Sequence, residues 1–145
     1  MLRKTIYLLA LLIFSQCPLA LAEDMRFVDA EGFTGYYVDA STIVIGAWGE
    51  LPEGTAPEDI SEALVAVVKA NQNKRYLYKM RFDRGHETYE ILSSEVQAYD
   101  TKEVLEKNNF GRMPRHYGIS SPMNSIVNYI YEWQAEQIRA NQKSY

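Results

Sequence analysis

Two hydrophobic periods, one of two residues and one of three to four, constrain this chain more than any single motif does. Between Lys74 and Phe82 the residues alternate. Tyr76, Tyr78, Met80 and Phe82 fall on one side, Arg75, Lys79 and Arg81 on the other, with Leu77 out of step. Only an extended backbone sends successive side chains to opposite faces, so this segment reads as a half-buried β-strand. From Met123 the period changes. Met123, Ile126, Val127, Ile130 and Trp133 recur at helical spacing, Ile138 extends the stripe, and Asn124, Asn128, Glu132, Glu136 and Arg139 lie off it. Ser121 offers an N-cap oxygen, and Pro122 takes the first helical position, where no N–H is required. A helix with one apolar stripe gains its stability by docking that stripe, and a sheet is the surface at hand. The two periods together predict an α+β fold: a small antiparallel sheet with a C-terminal helix packed across one face.

Strand signals account for most of the remaining chain. Tyr36-Tyr37-Val38 and Thr42–Ile45 are β-branched and aromatic, and predict two or three strands between Arg26 and Trp48. Asp83-Arg84-Gly85-His86 reads as a turn into a long strand from Glu87 to Tyr99, which makes an antiparallel hairpin with the first. Val104-Leu105 starts a further strand, and 107–121 reads as a connector. A short helix is predicted over 57–70. Thr55, Pro57 and Glu58 match a capping box, and Ile60, Ala63, Leu64, Val67 and Val68 fall on one helical face. The valines at 65, 67 and 68 leave strand as the alternative there.

The first 22 residues have the plan of a secretory signal peptide: Arg3 and Lys4, an apolar run from Ile6 to Phe14, Pro18, and Ala20-Leu21-Ala22 before Glu23. That run is shorter than the ~20 residues of a membrane-spanning helix. Gln16 and Phe14 before Cys17 do not suit a lipoprotein signal. Cleavage is expected to leave a single domain over 23–145, periplasmic or associated with the outer surface, with no transmembrane segment. That domain carries 13 basic against 19 acidic residues, a formal charge of −6, and no cysteine. Its length suits one core that buries about two-thirds of the unfolded surface. Disulfides, a cysteine nucleophile and a thiolate metal site are excluded for it. The acidic balance argues against a general nucleic-acid binder.

Chemistry-bearing patterns are sparse. His86 and His116 stand far apart without further ligands at metal-site spacing, so no metal site and no cofactor are expected. No serine lies in Gly-x-Ser-x-Gly and neither histidine has an evident orienting carboxylate, which points to a non-enzymatic protein. Arg75, Lys79 and Arg81 share one strand face, with Lys74 and Arg84 near its ends. They form a candidate partner-binding stripe for an anionic surface. The competing expectation is a solvated face balanced by Glu87, Glu90 or Glu95 on the next strand, and the reach of those glutamates favours it.

Tyr89-Glu90-Ile91-Leu92-Ser93-Ser94, Val96-Gln97-Ala98-Tyr99-Asp100, Ser121-Pro122-x-x-Ser125-Ile126 and Tyr129-Ile130-Tyr131, in that order, resemble the bacterial surface-adhesin E family. Tyr36-Tyr37-Val38-Asp39-x-Ser41-x-Ile43 is similar to that family's N-terminal segment. The resemblance implies an exported, non-enzymatic protein with the helix across the concave face of its sheet, binding host matrix proteins. Haem binding is also attributed to the family. Family members commonly tie helix to sheet through a disulfide, one cysteine near the Asp83–Gly85 turn and one near Trp133; both are missing here. The family's Asp-x-x-Gly turn is Asp100-Thr101-Lys102-Glu103 in this chain. Trp133 and the stripe behind it are therefore expected to hold the helix by packing alone. The functional expectation is an adhesin-like protein that contacts another protein. A periplasmic envelope or assembly factor and a small-ligand (haem) carrier are the alternatives, and a homodimer is left open.

Overall fold

The computed structural model describes residues 23–46 and 49–144, so the leader expected over 1–22 lies outside the described residues. Its elements are β1 (Met25–Glu31), β2 (Thr34–Asp39), β3 (Val44–Ile45), β4 (Ile60–Lys69), β5 (Lys74–Asp83), β6 (Thr88–Ala98), β7 (Val104–Asn108), β8 (Arg115–His116) and α1 (Pro122–Gln142). All strands join one sheet in the order β1-β2-β4-β5-β6-β7, with β3 beside β4 and β8 beside β6. Every pairing is antiparallel. The α+β expectation holds. The alternating segment is β5, and its hairpin with β6 pairs Lys74 with Ala98 at one end and Asp83 with Thr88 at the other. The Asp83 carboxylate closes the hairpin turn by accepting from the His86 backbone N–H at 3.0 Å.

The helix expected over 57–70 does not form. Pro57–Asp59 is one 3-10 turn, and Ile60–Lys69 is a ten-residue strand that pairs with β2 on one side and β5 on the other. β-Branched valines lose little rotamer freedom on a pleated surface and more in a helix. Both faces of β4 carry apolar residues: Ala63 and Val65 belong to the core under the helix, while Ala66 is buried on the opposite face beside the half-buried Leu64. A strand apolar on both faces reads as a near-continuous apolar run, and such a run also satisfies a helical stripe.

The core lies between the sheet and the first half of α1. Ile126, Val127 and Ile130 pack on Val38, Ala63, Val65, Met80 and Phe82, with Tyr117 closing the cluster. Ser121 caps the helix by accepting from the Asn124 N–H, and the Ser125 hydroxyl donates to Asp29 Oδ2 of β1 at 2.7 Å. Trp133 does not have the role expected of it. It is only half-buried and stands outside the core cluster, and from Ala135 onward every described side chain is exposed. At 1.5 Å per residue the 21-residue helix is about 31 Å long, and its last turns run past the sheet.

Tyr129 and Tyr131, too far apart in angle to share one face of the helix, straddle the stripe, and both pack on the core margin. The Tyr131 hydroxyl donates to the Glu58 carbonyl at 3.0 Å. Its ring lies under the Arg84 guanidinium at 3.8 Å, and Arg84 Nε donates to Asp59 Oδ1 at 2.8 Å. This clasp joins the Asp83–Gly85 turn to the helix, the region where the family resemblance implies a disulfide. Ile130→Ala is expected to lower the unfolding free energy by about 2–5 kcal/mol, the usual cost of a buried aliphatic truncation. Trp133→Ala should cost less than that in the same urea titration. An equal or larger loss at Trp133 would return the helix anchorage to the indole.

Candidate functional site

The face of the sheet away from α1 receives Arg75, Leu77, Lys79 and Arg81 from β5, because side chains two residues apart point the same way. Three of the four predicted stripe residues are therefore brought together, and Arg84 is placed elsewhere, in the turn, with its guanidinium over the Tyr131 ring. The three are not equivalent. Arg75 is buried, donating from Nη2 to Glu23 Oε2 at 2.6 Å and from Nη1 to Gln97 Oε1 at 3.1 Å. Arg81 pairs with Glu62 on β4 at 3.3 Å. Glu95, expected to balance the stripe, instead accepts from Gln97 Nε2 at 2.6 Å and lies 3.8 Å from Lys107 on β7. Carboxylates do balance the arginines, but they come from Glu62 on β4 and from Glu23 before β1 rather than from β6. Among the described residues Lys79 makes no ion pair.

Lys79 stands in a cleft of about 510 Å³. Leu64 and Leu77 form its floor, Val44 of β3 lines one side, and Lys107 and Asn109 line the other. The register sets Lys79 opposite Leu64 on one side and Ser93 on the other. Beyond the cleft, Phe27 and Tyr37 meet edge to face with centroids 5.5 Å apart.

A second surface has no periodic signature in the sequence. Val104 and Leu105 on β7 are 51% and 54% exposed, and Phe110, Met113 and Ile119 in the connector are 84–85% exposed. The connector is not a loose loop. Arg112 N–H donates to the Ile91 carbonyl at 2.8 Å, Tyr117 N–H to Glu87 O at 3.0 Å, and Phe110 N–H to Asn108 Oδ1 at 2.8 Å. The backbone is fixed while the large apolar side chains point outward. The only hint in the sequence is three bulky apolar residues with no strand or helix period in a segment broken by Gly111, Pro114 and Gly118.

Neither histidine sits in a ligand cluster. His86 Nδ1 lies 2.7 Å from Asp83 Oδ2 within the turn, His116 is exposed on β8, and no three His, Cys, Asp or Glu side chains converge among the described residues. No described helix is long and apolar enough to cross a membrane.

Burial pushes the hydroxyls of Tyr36, Tyr78, Tyr117, Tyr129 and Tyr131 above the ordinary tyrosine value, since a phenolate there would lose its water. For Tyr131 the Ser61 hydroxyl and Arg84 oppose that rise without cancelling it. The sign follows from linkage. A raised folded value means that the neutral phenol stabilises the fold, fully below about pH 10 and progressively less as pH climbs through the raised values. The urea midpoint is therefore expected to fall above about pH 10, and Tyr131→Phe should lessen the fall. A midpoint that has already collapsed in the neutral range would assign the transition to other groups. Compared with family models, curated proteins and solved structures, the chain matches none.

Proposed function

We propose that this is an exported, non-enzymatic, adhesin-like binding protein of the bacterial envelope or cell surface, of the kind the surface-adhesin E resemblance implies. It contacts a partner protein through β7 and the connector that follows. The observation that carries this reading is the display of Phe110 and Met113, each more than four-fifths exposed, on either side of the Arg112 N–H that is anchored on the Ile91 carbonyl. Large apolar side chains grouped on one part of a surface mark interaction sites. β7 is also a sheet edge, and the outer backbone groups of an edge strand can pair with an added strand. The leader-like N-terminal sequence supports export, and the balanced arginines on the far face shift the contact from the basic stripe to this apolar surface.

The same surface serves a host matrix protein outside the cell or an assembly partner in the periplasm, and protease shaving of intact cells separates these. Digestion supports the first and full protection the second. The contact itself is tested with a photo-crosslinking residue at Phe110 or Met113 in living cells, with Glu136 on the overhanging helix as reference. One discrete adduct is expected from positions 110 and 113 and none from 136. Identical adducts from all positions, or none from any, would remove the proposed surface.

A further inference from the structure

We propose that the cleft on the far face of the sheet binds an aliphatic carboxylate, a free fatty acid of medium chain length. Its chain lies on Leu64 and Leu77 and its carboxylate meets Lys79. This site stands apart from the partner-protein surface, since Phe110 and Met113 do not line it. The cleft volume of about 510 Å³ lies within the range of small-ligand pockets, which are mostly apolar with a few placed polar groups.

Charge decides what those polar groups accept. Four ionised side chains line the cleft: Glu62, Lys79, Glu95 and Lys107. Glu62 is held by Arg81 at 3.3 Å, and Glu95 is shared by Gln97 at 2.6 Å and Lys107 at 3.8 Å. Lys79 is left, among the described residues, as the cation with no counter-ion, directly beside an apolar floor. An ammonium in that position is complemented by an anion whose other end is apolar. Ser93, opposite Lys79 in the register, brings a hydroxyl to the same end.

Backbone accounting argues against a peptide in the cleft. Its floor is made by β4, β5 and β6, whose neighbours on both sides already pair with them. A peptide lying across these strands would leave its own N–H and C=O groups without partners. An alkyl chain has none to satisfy. A compact anion such as phosphate would leave the half-buried Leu64 uncovered.

The test is calorimetric titration of the exported chain with decanoate, decan-1-ol and decylamine. Decanoate is expected to bind at one site, and the alcohol about tenfold more weakly or worse, because it lacks the charge-assisted hydrogen bond. Lys79→Met should bring decanoate down to the affinity of the alcohol and leave the thermal midpoint and the alcohol affinity unchanged. Lys79→Arg should retain binding. Val44→Glu, at an exposed position on the two-residue strand β3, should weaken decanoate by introducing a like charge at the rim. Amide shifts at saturation should centre on Leu64, Leu77 and Ser93. Equal affinity for acid and alcohol, tighter binding of the amine, unchanged decanoate binding in Lys79→Met, shifts centred elsewhere, or no binding at all would each overturn the proposal. Decanoate binding that persists while the crosslinks at Phe110 are absent would remove the partner-protein reading alone.

Discussion

The docking of one half-helix on one face of the sheet is the contact on which the rest of the structure depends. Ile126, Val127 and Ile130 are almost wholly buried against Val38, Val65, Met80 and Phe82. Each such side chain contributes about 1.5–3 kcal/mol by leaving water. No disulfide supports the contact, because residues 23–145 contain no cysteine. The consequence reaches the far face. Among the described residues one α-helix covers one face of the sheet, and the other face must remain compatible with water. Arg75, Arg81 and Glu62 do this by pairing, while Leu64 and Leu77 remain as an apolar floor between them.

The clasp of Arg84 on Tyr131 has a different role from the stripe. A cation over an aromatic ring contributes about 0.5–2 kcal/mol, well short of the 2–5 kcal/mol lost when a disulfide is removed from a small secreted domain. It cannot stand in energetically for the bridge that the family resemblance implies. What it supplies is direction. The Asp59 carboxylate holds Arg84, Arg84 lies on the ring, and the Tyr131 hydroxyl donates back to Glu58 beside Asp59. These contacts fix the rotation of α1 about its axis, and the stripe then supplies the energy.

The parts of the fold legible in the sequence are those with one wet and one dry face. β5, with Leu77 out of step, and α1 each show their period because one side of each packs into the core while the other is mostly polar. β4 satisfies a helical stripe as well as a strand because apolar residues stand on both of its faces, Ala63 and Val65 under α1 and Leu64 and Ala66 on the other. Trp133 continues the apolar stripe but stands outside the core cluster, because a stripe says which face is apolar and the sheet beneath decides where burial stops. The sequence pattern places Arg75 on a solvent face, yet it is buried and bonded to Gln97 and to Glu23, a partner 52 residues away that no local pattern connects to it. The connector from Asn109 to Ile119 showed no period at all, since its order comes from hydrogen bonds to other elements rather than from its own repeat.

One extra residue in β6 links both candidate surfaces. The register runs Lys79 to Ser93 and then Met80 to Ile91, so Leu92 is the added residue of a bulge. Without it Glu90 would oppose Phe82's side of the ladder and Ile91 would oppose Arg81, because a slip of one exchanges the faces. A carboxylate would then lie under α1 and an isoleucine among the arginines. With the bulge, Tyr89 and Ile91 join the margin of the core and Glu90 returns to the charged face. The same bulge lies where the Ile91 carbonyl accepts from the Arg112 N–H, which anchors the connector that displays Phe110 and Met113. On its other side Ser93 remains opposite Lys79 in the cleft. The local irregularity that a periodic reading discards therefore determines which side chains reach each surface.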